Sequence, residues 1–133
     1  MIQGLELQLD TAMESWKIGG ALTLLSAEQD GGTYNGKELP RRPSEFLDLR
    51  LDRTFAKGSV GASLFASGST YDDLANTRVI KSYTTLDLRG AYHLSTKWHV
   101  VGKVANVTDE DYEQASYYRQ PGRQFFVGVK WAQ

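Results

Sequence analysis

The stretch from Asn106 to Trp131, NVTDEDYEQASYYRQPGRQFFVGVKW, decides how the rest of the chain is read. It joins an acidic turn, a run of tyrosines, a Pro-Gly-Arg and a final strand. Beyond Pro121-Gly122 the side chains alternate: Phe125, Val127, Val129 and Trp131 fall on one face, and Phe126, Gly128 and Lys130 on the other. One face is wholly apolar and the other is mixed. A soluble two-layer sheet produces this pattern, and so does a membrane-crossing strand with aromatic residues near the ends of its lipid face.

The same period of two runs back through the chain, with almost nothing at helical spacing. Segments reading as strands are Ile2–Leu9, Glu14–Ala27, Glu45–Phe55, Ser59–Thr70, Lys81–Tyr92 and Trp98–Val107, before the terminal strand. In Glu45–Phe55, Leu47, Leu49 and Leu51 oppose Asp48, Arg50 and Asp52. Three charges on one face rule out a buried central strand of a parallel sheet. In Ser59–Thr70, Phe65 breaks the alternation.

The connections alternate as well. Those at Asp10–Met13, Ala56–Gly58 and Leu94–Lys97 are short, and those at Glu28–Ser44, Tyr71–Ile80 and Thr108–Arg123 are long. Tight turns on one rim and long loops on the other are the layout of outer-membrane barrels, with turns facing the periplasm. Strands of roughly 10 residues, tilted by about 40–45°, rise about 25 Å, the height of a barrel's apolar band. The expected fold is therefore all-β, an antiparallel up-and-down meander of about seven strands forming part of a transmembrane β-barrel. In such a meander the first and last strands run the same way, so the chain does not close on itself as an ordinary barrel. An open edge in lipid exposes backbone groups costing several kcal/mol apiece, which predicts further strands from elsewhere.

Asn106-Val-Thr-Asp-Glu-Asp-Tyr112, Tyr118-Arg-Gln-Pro-Gly-Arg123 and the aromatic-ended strand resemble the C-terminal signature of TonB-dependent outer-membrane receptors. Leu39-Pro-Arg-Arg-Pro43 and its following strand look most like the cobalamin-receptor branch. The resemblance implies uptake of cobalamin or a siderophore through a barrel of roughly 22 strands filled by a plug. On that reading residues 1–133 are the C-terminal barrel segment, located in the bacterial outer membrane. The implied partners are membrane lipid and lipopolysaccharide, the remaining strands and plug, a small-molecule ligand, and the TonB complex through an N-terminal part. Asn106, Asp109 and Tyr112 mark the family's last hairpin in a structural sense. The ending Trp131-Ala132-Gln133 departs from the family's usual terminal aromatic residue.

Composition removes other classes. A formal net charge of −1 argues against a nucleic-acid surface, and the absence of cysteine excludes disulfides and thiolate chemistry. No segment reaches the roughly 20 apolar residues of a spanning helix. A negative mean hydropathy is compatible with a barrel, whose inward positions are polar. Met1-Ile-Gln-Gly-Leu-Glu is not a secretory leader, which predicts a piece of a longer protein or a truncated gene.

Candidate ligand-binding residues lie in the long connections. Tyr34, Arg41 and Arg42 could meet a ligand or the phosphates of lipopolysaccharide, or belong to a solvated loop. Tyr112, Tyr117 and Tyr118 could stack on a planar ligand or form an interfacial girdle, and Arg119 adjoins them. Asp109, Glu110 and Asp111, like Asp72 and Asp73, lack the spaced pattern of a calcium loop. His93 and His99 read as ordinary polar residues. Asp48, Arg50, Asp52, Asp87, Arg89 and Lys103 sit on polar strand faces and would line a lumen. No residue is expected to be catalytic or to bind metal, and no cofactor is expected. The alternatives are a soluble β-sandwich binding module and a functionless remnant.

Overall fold

A computed structural model describes residues 1–131. Its strands are β1 (Ile2–Met13), β2 (Trp16–Ala27), β3 (Glu45–Phe55), β4 (Gly58–Ser67), β5 (Thr70–Tyr71), β6 (Val79–Ile80), β7 (Tyr83–His93), β8 (Trp98–Ala105), β9 (Glu113–Ala115), β10 (Tyr118–Arg119) and β11 (Gln124–Trp131). Seven of them form one antiparallel sheet in the order β1-β2-β3-β4-β7-β8-β11. The expected meander is borne out. The two small pairs, β5 with β6 and β9 with β10, lie within the long connections.

The register explains why the alternation survives across the sheet. Leu9, Gly20, Leu49, Leu64 and Leu86 stand in one row, and Asp52, Gly61, Arg89, Lys103 and Phe126 in another. Antiparallel partners share a face, so one register error would turn leucines onto the charged side. The apolar face has no covering layer: Leu7, Leu9, Leu49 and Val127 are 55%, 63%, 44% and 84% exposed. Among the described residues the only buried hydrophobic side chains are Ala27 and Ile80. A sandwich needs a second sheet on the apolar face, and the described residues form one large sheet.

Several boundaries differ from expectation by a few residues. The first turn is at Glu14–Ser15 and not at Asp10–Met13, because β1 continues to Met13, which pairs with Trp16. Asp10 is a turn former by type, but here it accepts a hydrogen bond from Gln8 Nε2 (2.8 Å) on the polar face. Glu14, at φ 46°, makes the reversal. β4 ends at Ser67, where the Gly68 amide bonds the Glu45 carbonyl at 2.9 Å and closes the pairing with β3. β8 ends at Ala105 because Asn106 takes a left-handed φ of 50°.

On the polar face three charge pairs form, two across strands and one within β3. Arg89 Nη2 meets both Asp52 oxygens at 2.7 Å, and its Nη1 donates to Ser63 Oγ at 2.6 Å. Asp52 and Arg89 lie two strands apart, with Gly61 of β4 between them. A Cβ on Gly61 would stand 2.1 Å from Asp52 Oδ1 and 2.7 Å from Arg89 Nε, so the glycine leaves the space through which the pair joins. Lys103 reaches Asp87 at 2.7 Å and Arg50 reaches Asp48 at 2.8 Å.

The short-turn end of the apolar face carries Trp16, Phe55, Tyr92, Trp98 and Trp131. Arg53 also lies on this face, in the row of Trp16 and Val60. Its guanidinium sits 4.9 Å from the Trp16 ring centre and 5.0 Å from that of Phe55, where aromatic faces offset the loss of water.

Candidate functional site

The three long connections fold onto one another at the opposite end of the sheet. Side chains of the second connection join it to the first. Asn76, at φ 56°, accepts from the Glu38 amide at 2.8 Å and donates to the Glu38 carbonyl at 2.9 Å. Its amide thus acts as a backbone strand partner. Gln29 Nε2 donates to the Leu74 carbonyl at 2.8 Å.

Asp72 gathers two cations. Arg41 Nε lies 2.7 Å from it and Arg78 Nη1 3.6 Å, and the carboxylate side chain is only 7% exposed. The Arg41 hydrogen bond, with help from Ser116, holds the Asp72 carboxyl below the ordinary carboxylate range against the cost of burial. Asp73 is likewise lowered, chiefly by the Arg78 amide, with Thr77 adding two donors. Arg78 then reaches the third connection, its guanidinium 5.7 Å from the Tyr117 ring centre.

The third connection is built on the Asn-x-x-Asp-x-x-Tyr pattern. Asn106 is buried; its Oδ1 accepts from the Glu110 amide and its Nδ2 donates to the Glu110 carbonyl, both at 2.9 Å. Asp109 Oδ1 accepts from the Arg123 amide at 2.7 Å. The position a Cβ would take on Gly122 is 2.6 Å from that oxygen, which explains the glycine in Pro-Gly-Arg. Tyr112 stacks on Tyr83 with ring centres 4.2 Å apart. Burial, with Tyr83 and Asp87 nearby, raises the Tyr112 hydroxyl pKa.

That stack ends a ladder of rings. Phe46 and Phe65 are 6.3 Å apart, Phe65 and Tyr83 6.0 Å. All three belong to the polar face, where Phe46 pairs with Ser67 and Phe65 with Asp48 and Thr85. The break in alternation at Phe65 is thus the middle rung. Beneath the loops a cavity of about 250 Å³ is lined by Arg41, Phe46, Phe65, Thr70, Lys81 and Tyr83, among others. Thr70 is 5% exposed and its Oγ1 has no hydrogen-bond partner.

Of the residues singled out from sequence, Arg41 lines this cavity while tied to Asp72. Tyr34 and Arg42 are exposed on the first connection. Tyr117 and Tyr118 are 84% and 71% exposed on the β9–β10 hairpin, and Arg119 pairs loosely with Asp111 at 3.1 Å. Tyr112 faces the ladder, so it is no part of a girdle on the apolar face. The sequence carries no local mark for Phe46, Tyr83, Thr70 or Arg78, and only the misplaced aromatic at Phe65 signals the ladder. His93 and His99, which read as ordinary polar residues in the sequence, stand opposite each other across β7 and β8 with their rings edge to face at 4.4 Å. Among the described residues no group of three His, Cys, Asp or Glu is placed to hold a metal. The departure at Ala132-Gln133 lies outside the described residues.

Residues 1–107 match the family profile described as TonB dependent receptor-like, beta-barrel. The vitamin B12 transporter BtuB of Photobacterium profundum is 27% identical over 126 residues, covering 95% of this chain and 20% of that protein. A probable TonB-dependent siderophore receptor, PiuA of Acinetobacter baumannii, is 25% identical over 131 residues, covering 87% and 18%. The chain thus spans about a fifth of the length of these relatives. The crystal structure of the A. baumannii siderophore receptor PiuA superposes with a TM-score of 0.87 at 23% identity, over 98% of this chain and 21% of that one. The ferripyoverdine receptor of Pseudomonas aeruginosa gives 0.80 at 19% identity, covering 98% and 19%. These likenesses establish the fold.

Proposed function

The chain belongs to the TonB-dependent receptor β-barrel family of the bacterial outer membrane, and on that premise we propose that it forms the C-terminal part of a barrel wall and captures the ligand at the extracellular mouth. By their names, the relatives are a transporter and receptors, and this reading is non-enzymatic. The ligand is cobalamin or a ferric siderophore. The polar face turns to the lumen, where Asp52–Arg89, Asp87–Lys103 and Asp48–Arg50 meet a plug, and the apolar face meets lipid. The short turns face the periplasm and the knitted loops face outward. Energy from the TonB complex arrives through a plug outside these residues.

The observation that carries the reading is the ring ladder under the loop cap. Aromatic residues on a lumen-facing strand serve no lipid contact, and here they border a cavity that also presents Lys81, Glu113, the Asp72-paired Arg41 and an unpartnered hydroxyl. Such a place suits a planar or ring-bearing ligand with polar substituents. Tyr117, Tyr118, Arg119, Tyr34 and Arg42 stand outside it as first contacts. The two edges β1 and β11 support the wall reading, because in lipid each needs a further strand.

The test is equilibrium binding of labelled cobalamin and of a labelled ferric siderophore to outer membranes containing the receptor. Phe65→Ala and Tyr83→Ala together should weaken the true ligand by about tenfold or more, the loss of two stacked rings. Unchanged affinity for both ligands would remove this ladder from the ligand path.

A further inference from the structure

The lipid face is not uniformly covered. A groove of about 650 Å³ crosses β4, β7, β8 and β11, with Val60 on one side and Phe125 and Val127 on the other. Its floor is the cross-strand pair Gly90 and Gly102. Such a volume falls within the roughly 300–1,000 Å³ of small-molecule clefts.

The floor glycines have no local structural reason. Neither has a positive φ. A Cβ at Gly90 would approach nothing nearer than 3.7 Å, and at Gly102 nothing nearer than 3.8 Å. Nearby Gly58 contrasts with them, since a Cβ there would lie 2.2 Å from the Ala91 carbonyl oxygen. Gly58 is required by the backbone, whereas Gly90 and Gly102 weaken their strands and leave the space open.

Charge identifies the occupant. The lining contains Lys57, Arg89 and Lys103 and no carboxylate. Arg89 and Lys103 are engaged on the lumen face with Asp52 and Asp87. Lys57 stands in the tight turn between β3 and β4, at the periplasmic end of the groove, and its carbonyl accepts from the His93 amide at 2.8 Å. The neighbouring connection carries Lys97.

We propose that this groove holds one acyl chain of an anionic phospholipid of the periplasmic leaflet, its headgroup phosphate at Lys57. The chain lies on the Gly90–Gly102 floor between Val60 and Val127. A phosphate beside the ammonium gains a charge-assisted contact that a zwitterionic lipid offers less of.

Native mass spectrometry of the receptor in mild detergent, titrated separately with phosphatidylglycerol and phosphatidylethanolamine, tests this. Wild type should retain one phosphatidylglycerol in preference to phosphatidylethanolamine. Gly90→Val with Gly102→Val should reduce that retention about tenfold, and Lys57→Ala should abolish the preference between the two lipids. Heat-dependent gel mobility confirms that each variant is a folded barrel, and if the double glycine variant does not assemble, Lys57→Ala decides alone. Equal retention by wild type and the variants overturns the proposal, as does lipopolysaccharide or a second copy of the protein in the groove.

Discussion

The two ends of this sheet are held by different means. At the short-turn end the strands keep their pairing to within two residues of reversal, as Met13 with Trp16 and Phe55 with Gly58 show. Rows of aromatic rings with Arg53 among them finish the apolar face there. At the long-loop end the ladders stop, and single side chains take over. Asn76 stands in for a strand, Asp72 joins two arginines, and Asn106 and Asp109 fold the last connection. The repetitive end depends on many equivalent ladder pairs, and the loop end on a few irreplaceable contacts. A barrel can therefore vary its mouth without altering its wall.

Four substitutions sharpen that contrast, in falling order of effect. Leu49→Arg places a charge in the middle row of the lipid face, where it costs about 2–4 kcal/mol. Folded barrel recovered from outer membranes should fall steeply, whereas Asp48→Asn on the lumen face should leave it nearly unchanged. Asn106→Ala removes a buried amide and strands the Glu110 amide and carbonyl, a loss of about 1–3 kcal/mol. Protease nicking within residues 106–123 should rise while the sheet stays intact.

Asp72→Asn comes third. Without its charge Arg41 and Arg78 lose their common anchor, and hydrogen exchange should speed up in the first and second connections together. The pH dependence follows from the lowered Asp72 pKa. Its stabilisation is complete above the unfolded value of about 3.9. It disappears as pH falls through the lower folded value. Wild-type loop protection should thus be the same at neutral pH and in mildly acidic buffer, and drop only in stronger acid. Loss of protection already in mildly acidic buffer contradicts this role. Gly61→Ala has the smallest effect: its Cβ displaces the flexible ends of Asp52 and Arg89. The ion pair opens, which a charge-sensitive double-mutant cycle with Asp52→Asn should show as lost coupling, with barrel yield retained.

The wall was legible in the sequence because a period of two and alternating connection lengths are properties of residue type and count. That Leu9, Leu49, Leu64 and Leu86 each fall on the apolar side of their own strand needed no tertiary information, whereas their alignment in one row comes from the strand pairing. The first turn was misplaced because Asp10 and Thr11 favour turns by type, while a left-handed Glu14 made the actual one. The mouth was less legible. That Asp72 meets Arg41, 31 residues away, or that Asn76 pairs with Glu38, depends on which loops the sheet brings together. Local spacing holds no trace of that. The His93–His99 pair was recoverable, since a hairpin about Leu94–Lys97 sets the two rings opposite. Phe65 breaks the alternation visibly in the sequence, but the rings of Phe46 and Tyr83 that explain it come from neighbouring strands.

The most direct test of the account uses the absence of cysteine from this chain. Single cysteines at Tyr117 and at Lys97, each in the receptor on intact cells, are exposed to a membrane-impermeant maleimide. The account predicts labelling at position 117 and none at position 97 until the outer membrane is opened. Labelling at 97 with protection at 117 would contradict it, because the loops that carry the proposed ligand contacts would then face the periplasm.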